Sequence, residues 1–286
     1  MREAALAQAS TEQDGDALAH VRRATLARIQ HFLSAPELGV YGDLKGICER
    51  VSDSYRDRAV VELLQNAHDA HPIGTTDGRI RIAFDPSEGA FGTLYVANDG
   101  NGFTSRNFDA LCSPTKTTKN VNEAIGNKGV GFLSVFQVSS HPEIYSRTMS
   151  VEPDFGGYCF TFAADETLRE FLTEEGLGET ADQIIANMPR LYLACPLETR
   201  PAAVAAFGAE GFATVVRLPL KNKDAAAAVG LQLAKLSQQV PPVQLFLSRI
   251  RELRVSTSPT EEAILLERRP ETLKEDGTLR LMRVAC

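Results

Sequence analysis

"VVELLQNAHDA", residues 60–70, is the stretch on which the reading of the chain turns. At about 100° per residue, Val60, Leu63, Leu64, Ala67 and Ala70 share one arc of a helix, and Glu62, Gln65, Asn66 and Asp69 share the opposite arc. The spacing predicts an amphipathic helix with one buried face. A polar stripe on such a helix ordinarily faces water. Here it carries a carboxylate, an amide and a second acid one turn apart from each other, which is also what a ligand site would need, so the rest of the chain has to choose between the two.

Working outward, residues 1–16 are small and polar and read as a mobile start. "ALAHVRRATLARIQHFL" (17–33) has helical periodicity, and a second helical stretch covers 44–70 with an interruption near 52–54, until Pro72 and Gly74 stop it. The period then changes to two. "RIRIAF", the turn-forming "PSEGAFG" and "TLYVAND" predict a β-hairpin over 79–99 that runs into "NDGNGF". Residues 104–124, ending in "CSPTKTTKNVNEA", read as a polar mobile loop. "IGNKGVGFLSVFQVS" follows as a glycine-rich loop opening into an apolar helix or strand, and "PEIYSR" begins further sheet. Inserted helices are expected over 165–198, a strand in "GFATVVRLPL" (211–220), a helix in "KDAAAAVGLQLAKLSQQ", a return to the sheet in "QLFLSRIRELRVS" and a closing hairpin whose last strand stops abruptly. That ending suggests the N-terminal piece of a longer chain.

Composition narrows the function classes. With 286 residues, a hydrophobic share of 43% and a charged share of 23%, the chain can bury a substantial core. A net charge of -7 argues against bulk attraction to phosphate backbones, so direct nucleic-acid binding by this segment is not expected. The five cysteines are scattered without a C-x-x-C pair, a pattern of free thiols in a reducing cytosol rather than of a disulfide framework or zinc site. The first residues lack the apolar core of a secretion signal, and no run approaches the ~18 apolar residues of a membrane span. The expected location is cytoplasmic, with no membrane partner.

Three separated features carry the chemistry: the helix bearing Glu62, Asn66 and Asp69, the strand end "NDGNGF", and the loop "GNKGVGF". Gly126, Gly129 and Gly131 follow a polar loop and have no preceding strand, so the dinucleotide-binding reading fails on context. His68 and His71 stand three apart on a helix without an evident third metal ligand, so packing or surface roles are preferred. His20 lacks the flanking acid and proline of a phosphoacceptor site.

In order, "ELLQNAHDA", "NDGNGF", "IGNKGVGF" and "GFATVVRLPL" resemble the N, G1, G2 and terminal Thr motifs of the GHKL (Bergerat-fold) ATPases, which include gyrase B subunits, ninety-kilodalton heat-shock chaperones, sensor histidine kinases and MutL. The resemblance runs over residues 57–220, and the wording is nearest to the sacsin-like and heat-shock-chaperone-type ATPase domains. It implies an α/β two-layer sandwich, with a mixed, mainly antiparallel sheet and helices on one face. It also implies a helical segment over 1–50, an ATP-binding domain over 51–220 with a lid at 104–125 and a helical insertion at 165–198, and a closing helix and strands over 221–286.

The resemblance implies ATP and Mg2+ as ligands. A neutral amide oxygen such as Asn66 can complete a magnesium shell without adding charge against the phosphates. Glu62, one turn earlier, takes the family's general-base position, able to deprotonate the water that attacks the γ-phosphorus. Asp69 would line the ribose and phosphate side. Counting back from Gly100 and Gly102, the adenine-reading position is occupied by Asn98, with Asp99 one residue later on the opposite face of the strand. Asn98 is favoured, and its neutral acceptor is weaker than a carboxylate by about 1 kcal/mol, or about fivefold in affinity. Gly102 would let the backbone approach the base, Phe103 would pack on it, and Thr214 would support the adenine contact, although a strand Thr alone is equally well explained by propensity. Thr118 and Lys119 match the lid's Ser/Thr-Lys element. Gly126, Lys128, Gly129, Val130, Gly131 and Phe132 would form the phosphate cradle, in which Lys128 either grips phosphate or stands in solvent.

Further implications are slow ATP hydrolysis as a conformational switch in a chaperone-like or defence-type protein, ATP-dependent homodimerisation, and domains or a protein partner beyond the C-terminus. An ATP-gated module of a nucleic-acid-processing system and a non-hydrolysing nucleotide scaffold stand as alternatives.

Overall fold

The computed structural model describes residues 2–55, 57–113, 131–148, 154–238, 246–257, 263–267 and 282–285, with side chains omitted for 2–16, 237 and 282–285. The strands, in chain order, are β1 (Gly78–Asp85), β2 (Thr93–Asn98), β3 (Glu143–Ser146), β4 (Phe160–Thr161), β5 (Cys195–Pro196), β6 (Thr214–Pro219), β7 (Ile250–Ser256), β8 (Ile264–Glu267) and β9 (Met282–Ala285). They form one sheet in the order β5-β4-β3-β6-β2-β1-β7-β8-β9, antiparallel throughout except for the parallel β1–β7 pair.

The helices are α1 (Arg2–Ser34), α2 (Val40–Ser54), α3 (Ala59–Asp69), α4 (Ser105–Leu111), α5 (Asp165–Glu174), α6 (Ala181–Asn187), α7 (Ala202–Ala209) and α8 (Lys223–Ser237). The apolar arc of α3 (Val60, Leu63, Leu64, Ala67) packs with Val229 and Leu233 of α8 onto Ile80, Ile82, Leu94, Val96 and Leu218 of the sheet. Period-two alternation sends Tyr95, Ala97, Tyr145 and Val215 to the other face, where Val204 and Phe207 of the short α7 cover them. The architecture is therefore the expected α/β sandwich with a mixed, mainly antiparallel sheet, to which α7 adds a helix on the second face. A satellite core joins Ile29 and Phe32 of α1 to Leu168, Leu172 and Ile184 of α5 and α6.

Four local expectations are corrected. Helix α1 begins at Arg2, not after a mobile start, in keeping with the good helix formers Ala, Glu and Gln that fill residues 2–13. The polar stretch from residue 104 opens with α4, because Thr104 and Asn107 form a reciprocal capping box and Phe108 is fully buried. The apolar run after the glycines is neither α-helix nor strand but a 3-10 helix, Gly131–Gln137, whose Ser134 Oγ donates to the Gly131 carbonyl three residues back at 2.7 Å. The helical stretch expected over 44–70 divides into α2 and α3 at residues 55–58, and it starts four residues earlier than the periodicity suggested.

Candidate functional site

Helix α3 enters the core with its polar residues turned toward protein, not toward bulk water. Its first free amide is satisfied from a distance, Val60 N donating to Gln232 Oε1 of α8 at 3.0 Å. Glu62 is only 8% exposed, an unusual place for a carboxylate, and its Oε1 pairs with Arg58 Nη2 at 3.4 Å one turn back. Its other oxygen lies over Gly131: a Cβ built there would sit 2.1 Å from Glu62 Oε2. Only a residue without a side chain allows the last glycine of "GNKGVG" to meet this carboxylate.

Asn66 is half-buried one turn further along α3. Asp69 accepts from His68 Nδ1 at 3.0 Å, while His68 Nε2 accepts from Arg249 N at 3.4 Å. Both nitrogens of His68 are thus used in packing.

The second half of the site is a row across the sheet. Asn98 of β2 lies directly opposite Thr214 of β6, and Thr214 lies opposite Ser146 of β3, so the three side chains share one face, the face of Leu94 and Val96 that α3 covers. All three are buried. Ser146 Oγ stands 3.3 Å from Thr214 Oγ1 and accepts from Phe103 N at 2.7 Å. Asn98 Oδ1 accepts from Gly100 N at 3.2 Å.

Asp99 goes the other way. It accepts from Arg79 N at 2.6 Å, Arg79 Nε at 2.7 Å and His71 Nε2 at 2.9 Å. Burial by itself would raise its carboxyl, but the hydrogen bonds from His71 and Arg79 outweigh it and hold the group below its ordinary value. The adjacent Asn and Asp are therefore separated: Asp99 ties the hairpin to the end of α3, and Asn98 joins the buried hydroxyl row.

The glycines of "NDGNGF" serve close backbone approach, in part to partners other than those expected. A Cβ on Gly100 would fall 2.7 Å from the Ala70 carbonyl oxygen at the end of α3, and one on Gly102 would fall 2.0 Å from the Arg147 carbonyl oxygen. Gly102 thus accommodates the backbone that leaves β3. Phe103 packs near Phe160, with ring centroids 6.3 Å apart, and Phe132 is buried near Phe162 at 6.0 Å. Thr118, Lys119, Gly126, Lys128, Gly129 and Val130 lie outside the described residues. His20 bonds the Tyr158 hydroxyl at 2.8 Å.

Sequence reasoning passed over Ser146, Arg58 and Gln232. Arg58 was legible, four residues before Glu62 on the same helix face. Ser146 and Gln232 were not, since their roles depend on strand order and on helix packing across long separations.

Among the described residues no group of three or more His, Cys, Asp or Glu side chains is arranged to hold a metal ion. The donor set of α3 nonetheless suits a hard cation that keeps most of its oxygens from a ligand and water: a carboxylate and a neutral amide one turn apart, beside a cradle that a single Cβ would fill.

Residues 54–153 match the family described as Histidine kinase-, DNA gyrase B-, and HSP90-like ATPase, a span that holds α3, the hairpin, the glycine-rich segment and β3. A stretch of 89 residues is 35% identical to Protein NO VEIN of Arabidopsis thaliana, covering 31% of this chain and 3% of that much longer protein.

Proposed function

Because this chain carries a GHKL-type ATPase segment over residues 54–153, we propose that it binds ATP with Mg2+ and hydrolyses the γ-phosphate slowly. The observation that carries the reading is the buried Glu62 carboxylate resting on Gly131, the point where the polar face of α3 meets the glycine-rich segment. Glu62 holds a water and accepts its proton as the water attacks the γ-phosphorus. Asn66 offers a neutral oxygen to Mg2+, which when bound offsets the charge that builds on the phosphate oxygens. Asn98, backed by Thr214 and Ser146, accepts from the adenine amino group. Gly131 and the residues before it present backbone N–H groups to phosphate, with Lys119 or Lys128 adding charge.

ATP-driven closure over residues 104–125 would make the segment a switch within a larger chaperone-like or defence-type protein and would favour homodimers. The chain spans 3% of the length of the curated relative it matches, so downstream partners belong to this proposal and not to the match.

One observation favours a non-hydrolysing scaffold instead: Arg58 holds Glu62 Oε1 and competes with a water for it. Phosphate release by the parent and by Glu62→Ala decides between the two. The hydrolytic reading expects release in the parent and background in the variant, with Mg-ATP raising the melting temperature of both. Equal background rates in both would leave binding without hydrolysis.

A further inference from the structure

The amide of Asn98 carries an acceptor and two donors, and the fold engages only the acceptor. Its Oδ1 accepts from Gly100 N at 3.2 Å. That N–H is held in place: Gly100 lies against the end of α3, where a Cβ would fall 2.7 Å from the Ala70 carbonyl oxygen, and Asn101 N donates to the same oxygen at 2.9 Å. A backbone N–H takes only an acceptor opposite it, so the amide cannot be turned over without setting donor against donor. Asn98 is only 5% exposed, yet its Nδ2 bonds no described group and is not sealed from solvent. The buried amide therefore offers a ligand two N–H donors, with the second lone pair of Oδ1 beside them.

The hydroxyls next to it in the row are equally two-sided. Ser146 has one proton and two acceptors within reach, the Arg147 carbonyl at 3.2 Å and Thr214 Oγ1 at 3.3 Å. When Ser146 donates to Thr214, the Thr214 proton is left over as a donor. When Ser146 donates to the Arg147 carbonyl, Thr214 donates to Ser146 and keeps its own oxygen as an acceptor. Phe103 N donates to Ser146 Oγ at 2.7 Å in both arrangements. The row can thus reverse its polarity without moving a heavy atom.

We propose that this pocket does not choose between purines at the 6-position and binds 6-oxopurine nucleoside triphosphates alongside ATP. The edge of adenine presents a 6-amino donor and an N1 acceptor; a 6-oxopurine presents the reverse, a 6-oxygen acceptor and an N1–H donor. A carboxylate at position 98 would accept from the first and repel the second, because it has no proton to give. Asn98 serves both, Oδ1 taking the amino group or Nδ2 donating to the oxygen, and Thr214 follows with whichever polarity N1 requires, directly or through a water. The proposal rests on the reading of this row as the base pocket and adds which bases it admits.

Calorimetric titration of the full chain with ATP and with inosine triphosphate, both in Mg2+, tests it; inosine lacks the 2-amino group of guanosine, so only the 6-substituent and the N1 proton differ. The two are expected to bind within about threefold of each other. Asn98→Asp keeps an acceptor for Gly100 N but loses both N–H donors, and it should weaken inosine triphosphate about tenfold or more while holding ATP at least as tightly as the parent. If that variant fails to fold, the triphosphate of purine riboside, which has no 6-substituent, decides on the parent alone: it should bind about fivefold more weakly than either. ATP binding without inosine triphosphate binding would overturn the proposal and leave the nucleotide reading standing, whereas binding of neither would end both. Equal loss of the two ligands in Asn98→Asp, or unsubstituted purine binding as tightly as ATP, would show that Asn98 does not read the base and would overturn the proposal as well.

Discussion

Gly131 and Gly102 belong to similar glycine-rich motifs, but the side chain each one lacks would strike different things. At Gly131 the obstacle is Glu62 Oε2, 2.1 Å from a Cβ and the far end of a flexible side chain that can swing aside. At Gly102 it is the Arg147 carbonyl oxygen, 2.0 Å away and fixed in the backbone. Gly131→Ala should therefore change stability by less than about 1 kcal/mol while lowering phosphate release toward the Glu62→Ala level, because the carboxylate is pushed from its place. Gly102→Ala should destabilise by about 3 kcal/mol through strain at the end of β3. Thermal melts of both variants beside a phosphate-release assay separate the two effects. From sequence the two glycines looked alike; only their contacts distinguish them.

At the scale of elements, α3 is held at both ends by groups from far along the chain. Gln232→Ala leaves the buried Val60 N–H without its acceptor and should cost about 1–2 kcal/mol in a denaturant titration, with faster amide exchange at Val60 as the local sign. At the other end Asp99 joins Arg79 and His71 beside the last turn. Its carboxyl is held below the ordinary value, so the stabilisation is present above the ordinary carboxylate range and is lost as pH falls through the lowered folded value. Asp99→Asn should lower stability at neutral pH by about 2 kcal/mol and flatten the acid limb of the stability curve; an unchanged limb would show that other carboxylates set it. The apolar arc of α3 and the two strands of the hairpin were legible because burial imposes periods of 3.6 and 2 on their sequences. Helix α4 was hidden because its capping residues are those that also make loops, and the 3-10 helix because a seven-residue apolar run fits several backbones.

For the whole molecule, the sandwich could be read from the order of motifs, but the row Asn98–Thr214–Ser146 could not. It exists because β6 lies between β2 and β3, and strands that are remote in sequence bring three polar side chains into one line on the face that α3 covers. Alternation likewise separates the two neighbouring polar residues in "NDGNGF", sending Asn98 to the face that α3 covers and Asp99 to Arg79. The polar stripe of α3 is placed in the same way, its Glu62 carboxylate buried beside Gly131, and under the proposed function that stripe would face a metal-bearing triphosphate.

The most direct test is calorimetric titration of ATP, with Mg2+ and with EDTA, into the parent and into Asn66→Ala. The expected result is one ATP per chain in the parent, tightened about tenfold by Mg2+, and binding by Asn66→Ala that matches the parent in EDTA but gains nothing from Mg2+. An absence of ATP binding in the parent, or an equal magnesium gain in the variant, would contradict a nucleotide site built on the polar face of α3.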